Sequence, residues 1–312
     1  MRRGSPPLAP LDQAGKRFFI QPTTGRLHLI DLHTHSSASD GSDSPSQLIE
    51  NAKAAGLSAV ALTDHDTIAG LSEARRAAGE LQIEFIPGCE LSVTHGQHRF
   101  HMVGLFLPED ASSLQRTLDM LIEERNARNG KIIEKLNQLN IDITIEEVIA
   151  KAGGDAVGRP HMAAVLFEKH VVNSMQQAFD QFLGSKGKAY LPKQVLTAAQ
   201  ALQLLTDCGA TPIMAHPYSL NLGAVSLAEV VTELRSLGLD GIEAYYPEHT
   251  PSQTEQFLAL AKRLDLAVSG GSDYHGSFRP HIQLGRGKGT LHVRDELLTA
   301  LKERRIRRGL SA

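Results

Sequence analysis

Acidic and imidazole side chains stand at the ends of several short apolar segments in this sequence of 312 residues. His33 and His35 are two positions apart, and an extended chain places two such rings on one side, where they can bind one metal ion. Alone, this pair indicates little, because an HxH pattern is more often part of a surface or a core. Similar motifs accompany it: SASDG at 37–41, TDHDT at 63–67, GCE at 88–90, AHP at 215–217 and GSDYH at 271–275. Together they favour a shared metal site.

These motifs can form one site only if the fold gathers the segments that carry them. Seven short runs rich in Val, Ile and Leu alternate with helical patterns, which is typical of an α/β fold with a parallel sheet. The runs begin at Leu27, Leu57, Ile83, Phe100, Thr211, Asp240 and Leu266. In parallel α/β barrels the active site lies at the carboxyl ends of the strands, so residues remote in sequence converge there. The sequence therefore predicts that the motifs meet at one edge of such a sheet.

The predicted strands are interrupted by a long helical segment. Residues 112–140 read as one charged helix, and shorter helical patterns follow it. We therefore predict an inserted helical subdomain at 112–187 and a barrel domain formed by 27–111 and 188–312. Several prolines interrupt residues 1–26, which we expect to form a poorly ordered extension.

Composition narrows the class of protein. Hydrophobic residues make up 41% and charged residues 21%, a balance typical of a globular protein. The net charge of −3 gives no bulk positive field, so a polyanionic substrate must be held by a local site. The two cysteines form no CxxC motif, no apolar run approaches the roughly 20 residues of a membrane span, and no export signal is recognisable. We expect a cytoplasmic protein with no membrane contact and no obligate protein partner.

The motifs resemble those of the polymerase-and-histidinol-phosphatase (PHP) family of metallophosphoesterases, over about residues 29–286. The strings that carry the resemblance are DLHTHSSASDG at 31–41, TDHDT, GCE, AHP and GSDYH. The segment GRPHMAAVLFEKH at 158–170 and the following FLGSKGKAYLP resemble a narrower branch, which hydrolyses nucleoside 3′,5′-bisphosphates and acts as a 5′-to-3′ exonuclease on short RNA. The resemblance implies a distorted seven-stranded (βα)7 barrel with the insertion over its mouth.

The resemblance also implies three divalent ions and their ligands. It assigns His33, His35, Glu90 and Asp273 to the first ion, Glu90, His101 and His216 to the second, and Asp40, His65 and His275 to the third. Nitrogen and oxygen ligands suit Mn²⁺, Fe²⁺ or Zn²⁺, and we expect Mn²⁺. Three such ions would give an acidic protein a strongly positive pocket. Asp40 stands where histidinol-phosphatase members often have His, which argues against that activity.

Other residues near the motifs are candidates for supporting roles. Asp64 and Asp66 flank His65 and are expected to orient imidazoles or relay a proton. His275 is also a weaker candidate for the acid that protonates the leaving group. Ser37 is a candidate for substrate binding.

Substrate recognition is expected mainly from the insertion. Arg159 and His161, with Arg125 and Arg128 three apart on one helix face, can receive a second phosphate, because guanidinium groups match phosphate oxygens. A solvated charged helix explains Arg125 and Arg128 equally well. Either Tyr245 or the adjacent Tyr246 can stack on a base, although core packing is as good an explanation for both.

We therefore predict metal-dependent removal of the 3′-phosphate from nucleoside 3′,5′-bisphosphates, giving 5′-monophosphates. The same mechanism would permit stepwise removal of 5′ nucleotides from short single-stranded RNA. One alternative is a phosphatase for histidinol phosphate or another small phosphomonoester. An alternative of another class is a non-catalytic PHP module that binds nucleic acid or a polymerase partner, which the complete ligand set argues against.

Overall fold

The computed structural model describes residues 28–152 and 157–312, so the extension predicted at 1–26 lies outside the described residues. Within them the chain is an α/β fold with eight strands and ten α-helices. The strands are β1 Leu29–Asp31, β2 Leu57–Leu62, β3 Glu84–His95, β4 His98–Leu105, β5 Leu196–Thr197, β6 Thr211–Met214, β7 Gly241–Tyr245 and β8 Ala267–Gly270. The helices are α1 Pro45–Ala54, α2 Leu71–Leu81, α3 Ser112–Gln138, α4 Ile145–Ala152, α5 Arg159–Glu168, α6 Met175–Ala178, α7 Ala198–Asp207, α8 Ala224–Ser236, α9 Pro251–Leu264 and α10 Asp295–Arg307.

The strands form one mostly parallel sheet in the order β1-β2-β3-β4-β6-β7-β8, with β5 paired to β3. Strand β4 is the exception, because it runs antiparallel to both β3 and β6. An antiparallel strand begins at the edge where its parallel neighbours end. His101, near the start of β4, therefore lies opposite Ser92 of β3, and its carbonyl accepts a hydrogen bond from Ala215 N after β6. This direction brings His101 to the edge that carries the other motifs.

The sheet differs from the closed seven-stranded barrel predicted from the sequence. Among the described residues no ladder joins β8 to β1, and β5 is an eighth strand, too short for its pattern to be recognised. β1 has only three residues, and the chain that follows it contacts the end of β8 and the residues after β8 through single hydrogen bonds. Leu32 N donates to Gly270 O at 3.2 Å and Asp273 N donates to His33 O at 2.9 Å. These bonds hold the two edge strands close without a ladder.

Three helices begin with the same capping box, which fixes where the preceding loop ends. A Ser or Thr side chain accepts from the backbone N–H three residues later, and the Gln at that position accepts from the backbone N–H of the cap. The pairs are Ser44 with Gln47, Thr197 with Gln200 and Thr250 with Gln253. Such a cap stabilises a helix by about 1 kcal/mol.

The apolar residues of the sheet divide between its two sides. In β2, Val60 and Leu62 pack in the cluster shared with α1 and α2, whereas Ala59 and Ala61 pack in the cluster shared with Leu301 of α10. Because both sides are covered, the strand is a continuous apolar run. No helix within the described ranges is long and apolar enough to cross a membrane.

The helices between β4 and β5 have a hydrophobic cluster of their own. Its buried members lie between Ile132 and Ala189 and include Leu136, Met162 and Leu166. The helix predicted at 112–140 is α3, Ser112–Gln138. The division into a barrel domain and an inserted subdomain at 112–187 stays a prediction, with which this separate cluster agrees.

Candidate metal centre

Glu90 lies at the middle of the edge where the motifs meet. Its side chain is fully buried, and its two carboxylate oxygens lie 2.9–3.2 Å from nitrogens of five imidazoles. The imidazoles belong to His33, His35, His65, His101 and His216. They come from the ends of β1, β2 and β6 and from the start of β4. The fold thus brings together residues that are up to 183 positions apart, between His33 and His216.

Two further carboxylates contact the same imidazoles. Asp273 Oδ1 lies 3.1 Å from His35 Nε2 and 3.6 Å from both His33 Nε2 and His275 Nδ1. Asp40, which is half exposed, lies 3.3 Å from His275 Nε2 and 3.7 Å from His35 Nδ1. All nine residues expected to be metal ligands are therefore joined in one cluster by contacts between ligand atoms.

Three groups within this cluster offer ligand atoms that all lie within 4.8 Å of one another. They are His33, His35, Glu90 and Asp273; His65, Glu90 and His101; and His35, Asp40, His65 and His275. The first group is the set that the resemblance implies for the first ion. The second contains His65 where the resemblance implies His216, and the third adds His35. His216 remains close, with Nε2 2.9 Å from Glu90 Oε1 and 3.4 Å from His101 Nδ1.

Several of these atoms are short of hydrogen bonds. His33 Nε2, both nitrogens of His35 and Glu90 Oε2 are buried and form no hydrogen bond within the described part of the chain, although other polar atoms are close. Buried polar atoms normally find a partner. Nitrogen and oxygen atoms that converge without forming hydrogen bonds are suitable ligand atoms for Mn²⁺, Fe²⁺ or Zn²⁺. The residues present therefore fit divalent ions.

The buried charges shift one another's pKa values. Burial alone would lower the pKa of His35, but the nearby carboxylates of Asp273 and Glu90, at 3.1 and 3.2 Å from its Nε2, raise it to about 10. Burial would likewise raise the pKa of Glu90, but His65 and the other imidazoles hold it well below its usual value. Ionised Glu90 thus faces a protonated His35, and a divalent ion bound there would displace that proton, because a metal-ligating imidazole is neutral.

The backbone at this edge is strained at three residues other than glycine. Asp66, His216 and Asp273 have positive φ angles of 51°, 24° and 55°. Such conformations are uncommon, cost of order 1–3 kcal/mol and gather at functional sites. Each is held by a hydrogen bond from its own N–H, and for His216 the acceptor is Glu243 Oε2 at 2.7 Å.

A glycine allows the close approach of the segment after β8 to β1. A Cβ added at Gly271 would lie 2.4 Å from the Cβ of His33 and 2.5 Å from its backbone nitrogen. Contacts below 3 Å do not occur for real Cβ atoms, so a larger residue would displace His33. This contact gives a structural reason for the glycine of the GSDYH motif.

Asp64 holds the loop that carries Asp40. Its carboxylate accepts hydrogen bonds from Ser36 N at 2.7 Å and from the hydroxyls of Ser36 and Ser39, both at 2.6 Å. Burial raises the pKa of Asp64 although these bonds oppose the shift. Its role is thus to position Asp40 through the loop.

Asp66 ties the sheet to the segment after the insertion. Its carboxylate accepts from Ser92 N at 2.8 Å, from Ser92 Oγ at 2.9 Å and from Lys193 Nζ at 2.7 Å. Neither Asp64 nor Asp66 hydrogen-bonds to an imidazole among the described residues, and the expectation that they orient imidazoles or relay a proton stays a prediction.

Glu243, which the sequence reasoning missed, orients the imidazole of His33 and holds the backbone of His216. Its side chain is buried in β7, where Oε1 accepts from His33 Nδ1 at 3.0 Å and Oε2 accepts from the backbone of His216. The bond to Nδ1 leaves Nε2 of His33 directed at the cluster, an arrangement typical of metal-ligating histidines. A glutamate within the apolar run DGIEAYYP was the signal that could have revealed it.

The second oxygen of Asp273 has two donors that were also missed. Tyr246 Oη and Arg279 Nη1 both donate to Asp273 Oδ2 at 2.7 Å, which leaves Oδ1 directed at the imidazoles. Tyr246 is buried, and burial raises its pKa, so it remains a hydrogen-bond donor. Tyr245 packs against the two hydrophobic clusters of the sheet. Tyr245 is only partly buried there, and its stacking on a base stays a prediction.

His275 is better placed as a ligand than as an acid. Its Nδ1 donates to the backbone carbonyl of Asp273 at 2.8 Å, so the other nitrogen, which faces Asp40, carries a lone pair in the neutral ring. Ser37 is exposed in the loop that carries Asp40, and no side-chain hydrogen bond ties it to the other described residues.

A group of arginines lies beside the cluster, on the helices between β4 and β5. Burial lowers the pKa of Arg128, and the positive charges of Arg159 and Arg125 lower it further. Arg125 Nε and Arg128 Nε and Nη1 are buried without a hydrogen-bond partner in the described ranges. Arg125 lines a small cavity with Asp66 and Lys193, and because Asp66 directly follows His65, Arg125 lies near the metal cluster.

The remaining insertion residues have identified contacts. Arg159 Nη1 donates to Leu183 O at 2.9 Å, and its guanidinium lies 5.5 Å from the ring centre of Tyr190. His161 Nδ1 accepts from Gly158 N at 3.2 Å and so caps the start of α5. Burial lowers the pKa of His161, which favours the neutral ring. Arg159 therefore belongs to the arginine group, whereas the contact of His161 is structural.

Comparison with known proteins agrees with this geometry. Residues 31–194 match the PHP domain family. The 5′-3′ exoribonuclease Rnm of Escherichia coli (strain K12) is 34% identical over 260 residues, which are 83% of this chain and 88% of that protein. The 3′,5′-nucleoside bisphosphate phosphatase of Chromobacterium violaceum is 30% identical over 247 residues, covering 79% and 87%. A solved structure from Bifidobacterium adolescentis, described as a metal-dependent phosphoesterase, superposes with a TM-score of 0.73 at 29% identity and covers 89% of this chain and 96% of that one.

Proposed function

Because the chain belongs to the PHP domain family and is a metal-dependent phosphoesterase, we propose that it removes the 3′-phosphate of nucleoside 3′,5′-bisphosphates, giving 5′-monophosphates. We propose that the same site also removes nucleotides from the 5′ end of short RNA. The observation that supports both is a group of arginines without ion pairs in the described ranges, near three groups of side chains that could hold metal ions. Relatives named as exoribonuclease and bisphosphate phosphatase support this choice.

We propose that three divalent ions, with Mn²⁺ expected and Zn²⁺ or Fe²⁺ as alternatives, occupy the cluster. The proposed ligands are His33, His35, Asp40, His65, Glu90, His101, His216, Asp273 and His275. Ions held there would activate a water molecule for in-line attack on phosphorus and would neutralise charge on the phosphoryl oxygens. The carboxylate of Asp64 holds the loop that carries Asp40, and the carboxylate of Glu243 holds His33. These contacts would fix the geometry of the ligands before substrate binds.

The arginine group, defined as Arg125, Arg128 and Arg159, would receive the 5′-phosphate. None of the three forms an ion pair within the described ranges, and burying unpaired positive charges is costly unless an anion joins them. Guanidinium groups bind phosphate oxygens through paired hydrogen bonds. A substrate with phosphates on both the 3′ and the 5′ position can therefore place one at the metal cluster and the other at the arginines.

This proposal predicts a preference for two phosphates. With Mn²⁺, kcat/KM for adenosine 3′,5′-bisphosphate should exceed that for adenosine 3′-monophosphate by about 10-fold to 100-fold or more, since one charge-assisted hydrogen bond contributes about 1.5–3 kcal/mol. Faster turnover of histidinol phosphate than of the bisphosphate would overturn the assignment.

A matched pair of variants on α3 tests the arginine group. Arg128→Met should reduce turnover of the bisphosphate but leave the 3′-monophosphate nearly unchanged, and Arg159→Ala should act in the same direction. Arg116→Met, on the exposed side of the same helix, should change neither rate. Equal losses on both substrates in the Arg128 and Arg159 variants would show that these residues are structural.

A further inference from the structure

A second cavity lies at the other flank of the metal cluster. It has a volume of about 130 Å³, and Tyr218, Tyr246, Glu248, Arg279 and His281 are among the residues that line it. We propose that this cavity receives the base and ribose of the nucleotide that follows the scissile phosphate in an RNA substrate. This inference rests on the proposed function, because it needs RNA to be a substrate.

The position of the cavity supports this role. The residues that line the cavity lie in the segments after β6, β7 and β8. Arg125 of the arginine group instead lies beside Asp66, which follows β2, and beside Ser92 in β3. The cavity borders the metal cluster because Tyr246 and Arg279 both contact Asp273. A substrate with its 5′-phosphate at the arginines and its scissile phosphate at the cluster has one portion left to place. That portion is the chain beyond the scissile phosphorus.

The charges around the cavity suit a neutral group more than a phosphate. Arg279 has one guanidinium nitrogen on Asp273, and Glu248 forms an ion pair with Lys288 at 2.7 Å. The charged side chains at this cavity are therefore paired, whereas the half-buried arginines of the arginine group form no ion pair with the other described residues. Its volume is below the roughly 300–1,000 Å³ of pockets that enclose whole ligands, so it accepts one portion of a substrate.

Tyr218 is the residue in this cavity with the properties of a stacking platform. Its ring is only partly buried and is packed against Tyr246, at 5.5 Å between ring centres, and against His249, at 5.4 Å. These contacts hold the ring without tying it to a proposed metal ligand. Stacking on aromatic side chains accepts any base, as an enzyme that shortens RNA stepwise requires.

The test compares substrates that differ only beyond the scissile phosphate. They are adenosine 3′,5′-bisphosphate, its 3′-methyl phosphodiester, and the 5′-phosphorylated dinucleotide pApA. In Tyr218→Leu, kcat/KM for pApA should fall by about 10-fold or more, because stacking is lost. The bisphosphate and the methyl diester should change by less than roughly 2-fold, because neither carries a second base. Tyr218→Phe retains the ring and should retain all three rates.

A second variant guards against misfolding of the first. His281 is exposed on the same cavity, and His281→Ala should lower pApA turnover several-fold without affecting the bisphosphate. Equal losses on all substrates, or no loss on pApA, in both the Leu and Ala variants would overturn this inference alone. A wild-type enzyme that hydrolyses the bisphosphate but not pApA would overturn it as well. Failure of the wild type on every substrate would overturn the proposed function and this inference together.

Discussion

Glu243→Gln should weaken metal binding without unfolding the protein. The substitution keeps the shape of the side chain but removes a buried negative charge behind two proposed ligands. The carboxylate accepts from His33 Nδ1 at 3.0 Å and from His216 N at 2.7 Å, through separate oxygens. An amide has one oxygen, so its NH₂ group must face one of these two N–H donors. One imidazole or one strained backbone segment therefore loses its support.

The size of the effect follows from this geometry. Leaving one buried donor without an acceptor costs about 1–3 kcal/mol, which corresponds to a factor of about 5 to 150 in an equilibrium constant. Outer partners of metal-ligating histidines typically contribute 10-fold to 100-fold, roughly, to metal affinity. We therefore expect the Kd for Mn²⁺ to rise by about 10-fold to 100-fold. The rate at limiting Mn²⁺ should fall by the same factor and should largely recover at saturating Mn²⁺.

Isothermal titration of chelator-treated protein with Mn²⁺ measures the Kd, and the rate as a function of Mn²⁺ concentration measures the recovery. Glu233→Gln is the matched control, because its carboxylate also contacts an imidazole, His95 Nε2 at 2.8 Å, but its side chain is 66% exposed and outside the cluster. The control should bind Mn²⁺ as the wild type does. An unchanged Kd in a folded Glu243→Gln variant would refute the reasoning.

Three further predictions concern packing and stability. Gly271→Ala should reduce kcat at least about 10-fold in steady-state kinetics, since the new Cβ would displace His33. Gly79→Ala is the control, because nothing lies within 4 Å of a Cβ added there. It should retain activity and gain up to about 1 kcal/mol in unfolding free energy, as measured by urea denaturation. Arg305→Met should lower the unfolding free energy by about 3 kcal/mol or more with little change in kcat, because the buried guanidinium donates to two carbonyls and a hydroxyl, and a urea curve like that of the wild type would contradict this. Chelation should lower Tm by several degrees and Mn²⁺ should restore it, since the ions bind only the folded cluster, and a Tm insensitive to both would argue against tightly held ions.

Much of the candidate site could be predicted because its residues lie directly after the apolar runs that form the strands. Short apolar runs identified the strands, and the ligand side chains directly followed them, as with Asp273 after β8. Strand direction was not readable in the same way. The sequence pattern of β4 is that of any buried strand and does not show that the strand is antiparallel. The direction of β4 explains why His101, near the start of a strand, joins the cluster, and only the three-dimensional structure reveals it.

The support of the ligands was harder to predict, because it depends on contacts between distant segments. Nothing local indicates that Tyr246 and Arg279 share one oxygen of Asp273, or that Asp66 and Lys193 are partners. Adjacent tyrosines at a strand end are also ambiguous, since a change of one position moves a side chain from the core to the site. The same ambiguity applies to Tyr245, whose stacking on a base stays a prediction.

The central claim is that divalent ions bind within the cluster centred on Glu90 and carry out the hydrolysis. Anomalous diffraction from crystals of the Mn²⁺-loaded protein tests it most directly, combined with the metal content and activity of the same preparation. We predict anomalous peaks beside Glu90 and beside the group formed by Asp40, His65 and His275, and activity that is lost with the metal and regained with it. Peaks only elsewhere on the molecule, or full phosphoesterase activity with the cluster empty, would contradict the claim.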